Sequence, residues 1–143
     1  MTNFTTRIMI AAATLVVAAG AASAQTMKAE IPFTFRAGDT VMAPGTYQIR
    51  PIQQQSGIPL FRVNDASGQH AIALMPIGAG DPKKAWEANG KPLLSFECVA
   101  SRCELSGIWT GPLTPAYVVR HGKLGKEEPV RVALIEMRPD KSE

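Results

Sequence analysis

The chain has 143 residues, of which 45% are hydrophobic, and its 15 basic and 12 acidic side chains give a formal net charge of +3. This length accommodates one domain with a sizeable core. The charge surplus is small, and the sequence has no basic stripe interleaved with aromatic residues. Both features argue against a nucleic-acid partner.

Residues 1–24 have the features of a cleavable secretory signal peptide. Arg7 supplies the positive charge, an uncharged run from Ile8 to Ala22 follows, and Ala22-Ser23-Ala24 is the small-x-small pattern that signal peptidase accepts. The alternative is an uncleaved membrane anchor, but a bilayer-spanning helix needs roughly 20 apolar residues. We expect cleavage before Gln25, which leaves one periplasmic or extracellular domain at residues 25–143 with no membrane span.

Short strands separated by turns fill the first half of that domain. Residues 28–36 alternate apolar and polar side chains, and Pro32 predicts either an edge strand or a break between two short strands. Pro44-Gly45 fits the centre of a type II turn. Further strands are predicted at 46–50 and 60–64, and the nearly continuous apolar run at 71–77 predicts a strand covered on both faces.

The second half continues the pattern. Residues 78–92 are predicted to form a loop with one helical turn around Trp86. Residues 93–98 and 103–109 are predicted to form a hairpin, and residues 117–119 a short strand. Residues 130–137 are predicted to form a last strand with Val130, Val132 and Leu134 on one face. Strands at this spacing are typical of an all-β domain. The predicted fold is either a small antiparallel β-sandwich or a closed β-barrel of about 7–8 strands.

Cys98 and Cys103 are the only cysteines, and in an exported chain such a pair is most often a disulfide. If they face each other, Phe96 lies opposite Leu105 and both join the apolar face, so the bridge and the core require the same register. A four-residue loop, 99–102, would connect the strands. A redox-active pair is disfavoured because the spacing is not Cys-x-x-Cys, and a metal site would need His70 or His121, which are distant in sequence.

The same register places Glu97 directly opposite Glu104, which is an unfavourable pairing of like charges. One hypothesis is a carboxylate pair for glycoside hydrolysis, and the alternative is a solvated face eased by a nearby Lys or Arg. His121 is expected in an exposed loop. Trp86, Trp109 and Tyr117 fall in or beside irregular segments, where exposed rings could contact a ligand; the alternative for Trp109 is that it caps the core.

The N-terminal half resembles an uncharacterised family of small exported bacterial β-proteins, of the type found in acidobacteria and other soil bacteria. Their pattern is Pro-Phe-x-Phe, a short spacer, then Pro-Ala-Gly-x-Tyr and an apolar residue. The corresponding segments here are 31–35 and 43–49, with Ala43 and Pro44 in exchanged order, and the hairpin ending in Trp109 is also similar. The resemblance implies an exported β-domain and no site residues.

The function that the sequence favours is that of a non-catalytic exported envelope or secreted module with a structural or interaction role. The alternative is a small β-barrel carrier for an apolar or sugar ligand, and a glycoside hydrolase-like enzyme comes third. The sequence has no Gly-x-Ser-x-Gly, His-Glu-x-x-His or Gly-rich phosphate loop. No catalytic residue, metal or cofactor is therefore predicted.

Overall fold

The computed structural model of the protein describes residues 25–122 and 129–140. Within those ranges the chain forms short β-strands and one helix of six residues. In chain order they are β1 (Met27–Ile31), β2 (Phe35–Ala37), β3 (Thr40–Met42), β4 (Gly45–Ile52), β5 (Leu60–Asp65), β6 (Ala71–Leu74), β7 (Gly78–Gly80), α1 (Lys84–Asn89), β8 (Leu93–Val99), β9 (Arg102–Trp109), β10 (Ala116–Val118), β11 (Arg131–Glu136) and β12 (Arg138–Pro139).

The strands form two sheets, which confirms the predicted sandwich. The five-stranded sheet has the order β12-β1-β4-β5-β6, and the seven-stranded sheet has the order β11-β8-β9-β10-β7, with β2 beside β9 and β3 beside β2. The chain passes from one sheet to the other four times, from β1 to β2, from β3 to β4, from β6 to β7 and from β11 to β12. No ladder joins the sheets among the described residues, so the predicted alternative of a closed barrel is not formed.

Pro32 decides how the first predicted strand is divided. Of the two alternatives, the break is correct: β1 ends at Ile31 and β2 begins at Phe35. Because Pro32 has no backbone N–H to donate, a continuous ladder stops there. The break allows β1 to pair within the five-stranded sheet while β2 pairs with β9 in the other sheet.

Aromatic side chains fill the space between the sheets. The Phe35 ring contacts Tyr47 of the opposite sheet and Phe96 of its own sheet edge-to-face, with ring centroids 5.2 and 5.5 Å apart. Phe33 packs against Phe96 at 5.1 Å. Burial of each such ring contributes about 1.5–3 kcal/mol to stability. The interior is therefore a packed core in the part of the chain that the structure describes.

The hairpin of β8 and β9 has the predicted register near its tip. Cys98 lies opposite Cys103, Glu97 opposite Glu104 and Phe96 opposite Leu105, and the disulfide between Cys98 and Cys103 is present. The connecting turn is shorter than predicted: Val99 pairs with Arg102, which leaves only two residues in the turn, and Ala100 has a φ of 53°.

Further along the hairpin the predicted register is wrong by one residue. A bulge shifts the pairing between Ser95 and Phe96, so that Ser95 lies opposite Gly107 instead of Ser106. The physical reason is that Leu105 and Ile108 are both buried although they are three residues apart. Only an extra residue in β9 lets both point to the same face of the sheet.

Two other local predictions are wrong. The 71–77 run is not covered on both faces: β6 is an edge strand, and Met75 and Ile77 remain 51% and 64% exposed. Gly45 does not occupy the positive-φ position of a type II turn, because it is the first residue of β4 and pairs with Ile31.

A second, smaller core lies on the outer side of the seven-stranded sheet. The predicted helical turn is the six-residue helix α1, which ends at Gly90 in the left-handed conformation (φ 72°). Its Trp86 packs on Trp109 and Leu93, with the indole centroids 6.4 Å apart. The Trp109 indole N–H donates to the Thr114 carbonyl at 3.1 Å, so its polar atom is satisfied.

Candidate interaction surface

The face of the seven-stranded sheet that is turned away from the other sheet, here called the outer face, carries a continuous cross-strand row. Pairing places its members side by side from β11 to β3. In order, they are Val132, Glu97, Glu104, Arg36 and Val41. Two carboxylates thus lie at the centre of the row, and an exposed valine lies at each end.

His121 contacts both carboxylates of this row. Its Nε2 is 3.2 Å from Glu97 Oε2, and its Nδ1 is 3.6 Å from Glu104 Oε2. The sequence predicted that a Lys or Arg would ease the Glu pair and that His121 would be exposed. In the structure His121 lies in a loop as predicted, but its side chain is 29% exposed and it contacts both carboxylates itself. Arg36 lies beside Glu104 in the same row, as the expectation of a nearby Arg requires. His121 follows β10 by three residues and lies over the facing side chains of β9 and β8.

A further contact of His121 is with the backbone beside it. Nδ1 lies 3.0 Å from the Gly122 carbonyl oxygen, which can only accept a hydrogen bond, so Nδ1 is the donor in this contact. Nε2 faces the Glu97 carboxylate. The ring therefore lies between the Gly122 backbone and the two carboxylates.

Glu104 is the more enclosed of the two carboxylates. Its side chain is 12% exposed, and Oε2 is buried with no hydrogen-bond partner among the described residues. The Gly122 backbone covers it so closely that a Cβ at that position would lie 3.2 Å from Glu104 Oε1. Glycoside hydrolysis needs two carboxyls facing one substrate space, and a covered Glu104 does not fit that requirement.

Exposed apolar side chains surround this polar centre. On β11 and just before it, Val130, Val132 and Leu134 are 50%, 53% and 46% exposed. Val118 on β10 is 45% exposed and Val41 on β3 is 60% exposed. The sequence correctly placed Val130, Val132 and Leu134 on one face, and the structure shows that this is the solvent side. Apolar surface gathered on one face is typical of interaction sites.

The strand β11 also forms one edge of its sheet. It pairs with β8 on one side, and no described strand pairs with its other side, although β1 of the five-stranded sheet lies near it. A groove of about 580 Å³ flanks it where the two sheet edges meet, lined by residues that include Lys28, Glu30, Leu134 and Arg138. An apolar face and a free edge therefore coincide on one strand.

The three aromatic residues that the sequence proposed as ligand contacts are not exposed on loops. Trp109 is fully buried and Trp86 is 8% exposed, so both belong to the smaller core. Tyr117 is half-buried and packs edge-to-face on Phe61 at 5.3 Å. Of the two alternatives for Trp109, capping a core agrees with its position.

A cleft of about 400 Å³ lies beside the turn between β5 and β6 and includes Tyr47, Asp65, Ser67 and His70. The Asp65 carboxylate accepts hydrogen bonds from the Ser67 hydroxyl at 2.9 Å and the His70 backbone N–H at 3.2 Å, and it pairs with His70 Nδ1 at 2.8 Å. Burial acts to raise the pKa of Asp65, but these interactions outweigh it and hold the pKa below its usual value. Burial and the charge of Asp65 raise the pKa of Tyr47 above 10.0. These bonds close the turn.

The described residues contain no cluster of three or more side chains placed to hold a metal ion. No helix among them is long and apolar enough to cross a membrane. No family model, curated protein or solved structure matches the chain. The resemblance to exported bacterial β-proteins therefore stays a prediction.

Proposed function

We propose that this protein is an exported, non-catalytic β-sandwich that binds an extended segment of protein along β11. The observation that carries the proposal is the coincidence, on one strand, of an unpaired sheet edge and exposed apolar side chains at Val132 and Leu134. A strand that adds to such an edge gains main-chain hydrogen bonds, and alternate side chains supply specificity.

Export is part of the proposal. The pattern of residues 1–24 supports it, and the Cys98–Cys103 disulfide is compatible with an oxidising compartment outside the cytosol. The bridge closes a loop of about six residues, so it stabilises the fold by about 2 kcal/mol in the chain-entropy account. It fixes the register of β8, the strand on which β11 lies.

The alternative of an internal carrier has less support. Its ligand would need space between the sheets, but Phe35, Tyr47 and Phe96 occupy that space and pack on one another. The enzyme hypothesis lacks an accessible pair of acids, because Gly122 covers Glu104.

Site-specific photo-crosslinking in cells that export the full chain tests the proposal. A photoreactive residue replaces Leu134 on β11 or, as the matched control, Arg62 on the outer face of the five-stranded sheet. We expect a product of defined mass at position 134, identified by mass spectrometry, and none at position 62. The product should be lost when Val132→Lys is added. No product at position 134, or a product that Val132→Lys leaves unchanged, contradicts the proposal.

A further inference from the structure

The free edge of β11 differs from the other sheet edges in length and composition. β12 has two residues and includes Pro139, β7 and β3 have three each, and β6 has four. β11 has six residues, Arg131–Glu136, without proline or lysine. Proteins protect exposed edges by keeping them short or by placing proline and lysine on them. Charged side chains also protect edges, but on β11 the only charges are Arg131 and Glu136, at its two ends. Its middle four residues therefore lack these protections, which is the expected condition of an edge that another strand covers.

The two charged residues of β11 are both engaged within their own chain. Arg131 Nη2 donates to the Ala100 carbonyl at 2.6 Å, and Glu136 Oε1 accepts from Asn89 Nδ2 at 2.9 Å. Neither is therefore needed to pair with a partner. The outward-facing side chains that remain for an incoming strand are Val130, Val132 and Leu134.

We infer that the occupant of this edge is β11 of a second copy of the chain, paired antiparallel about a twofold axis at Val132. The inference rests on the proposed function above. Residues directly opposite each other in an antiparallel pair point to the same face of the sheet. Shifting the second strand by one residue would therefore turn its apolar side chains to the other face, away from those of the first strand. The register centred on Val132 places Val132 opposite its own copy and Val130 opposite Leu134.

This register makes the strand complementary to itself. All three exposed apolar residues meet apolar residues of the second copy on the outer face. The contact uses the same patch on both subunits, as a twofold interface requires, and it closes after two copies. The two seven-stranded sheets then become one continuous sheet, and the longest unprotected edge among the described strands is covered.

Sedimentation velocity of the mature chain, from about 1 µM to 1 mM, tests the inference. We expect a monomer that converts to a dimer as concentration rises. Val132→Lys places two ammonium groups opposite each other at the axis and should weaken the dimer at least tenfold. Ile77→Lys, a change at a comparably exposed apolar residue after β6, should leave dimerisation unchanged and controls for general effects of charge and folding.

Cysteine crosslinking tests the register. Val132→Cys should form a disulfide-linked dimer on mild oxidation, whereas Val130→Cys and Leu134→Cys should each form little alone and should crosslink when the two variants are mixed. A chain that stays monomeric throughout the range, or a dimer that Val132→Lys leaves intact, overturns the inference. If the chain is monomeric and position 134 crosslinks to a different protein in cells, only the assignment of a second copy as the partner is overturned. If position 134 forms no crosslinked product at all, the proposed function is overturned as well.

Discussion

The outer faces of the two sheets differ although both sheets cover the same core, and the large exposed apolar side chains of the five-stranded sheet, Ile52, Met75 and Ile77, lie at or beyond the ends of its strands. On the five-stranded sheet, charged and polar side chains satisfy one another: Arg138 pairs with Glu30 at 2.7 Å, and Gln48 donates to Asp140 at 2.7 Å. On the seven-stranded sheet, a helix covers one end, His121 covers the acidic centre, and the valines and leucine near β11 remain exposed.

The difference shows that contact with solvent alone does not explain the side chains on the outer face of the seven-stranded sheet. Isolated exposed apolar residues are normal on protein surfaces. Here, however, the chain uses α1 and the segment after β10 to cover other parts of the same face, yet leaves Val130, Val132 and Leu134 about half exposed. That contrast is why we propose that binding takes place at β11.

The largest expected effect comes from removing the cover of the outer face. Trp109→Ala should lower the free energy of unfolding by about 3–5 kcal/mol, because a fully buried indole and its hydrogen bond to Thr114 are lost. Arg62→Ala on the opposite outer face should change it by less than about 0.5 kcal/mol. Urea denaturation measures both values, and similar losses for the two variants would remove the distinction between the faces.

The disulfide should have the next largest effect. Replacing Cys98 and Cys103 together by serine should lower the free energy of unfolding by about 2 kcal/mol, since a short loop is no longer closed in the unfolded chain. Reduction of the unmodified protein should produce a similar loss, and reductant should leave the double variant unchanged. Equal stability of the oxidised protein and the double variant would show that the bridge does not stabilise the hairpin.

His121→Ala should have a smaller effect, about 1 kcal/mol, because it leaves Glu97 and Glu104 opposed without the ring that contacts both. Adding Glu97→Gln to that variant should recover part of the loss, since one of the like charges is removed. Glu97→Gln alone should not stabilise the protein, because the His121 ring then loses its contact with that carboxylate. If the double variant is no more stable than His121→Ala, the like-charge explanation is wrong.

The smallest effect concerns the polar sheet and the turn that Asp65 closes. The pKa of Asp65 is lowered in the folded protein, so its contribution to stability is complete above the unfolded pKa of about 4 and is lost as the pH falls through the lowered value. Asp65→Asn should therefore flatten the decline of Tm below about pH 4 and lower Tm near neutrality. Asp39→Asn, in another turn, is the control. An unchanged acid limb in Asp65→Asn would contradict this assignment.

The sequence predicted the parts of this molecule that local pattern determines. Alternation placed Tyr47 and Ile49 in the core, and the Cys98–Cys103 spacing gave the register at the hairpin tip. The spacing did not predict the bulge. The extra residue is inserted at Ser106 or Gly107 because Ile108 must reach the core, and that requirement is not visible in the local pattern. A continuous apolar run such as 71–77 has the same pattern in an edge strand as in a covered one.

The candidate surface was the harder part to predict. His121 meets Glu97 and Glu104 only because the segment after β10 leaves the sheet and lies on its outer face, and that path depends on the tertiary fold. The alternation of Val130, Val132 and Leu134 showed that they share a face, but no local signal states which face is outside. The lack of proline and lysine between Arg131 and Glu136 was a signal that could have marked β11 as a binding edge.

Amide hydrogen exchange of the mature protein at low and high concentration tests most directly whether a second copy covers β11. We predict that exchange in Arg131–Glu136 slows as concentration rises, while exchange in Ala71–Leu74, the edge strand of the other sheet, stays the same. Exchange in β11 that is as fast at high concentration as at low concentration would contradict the account.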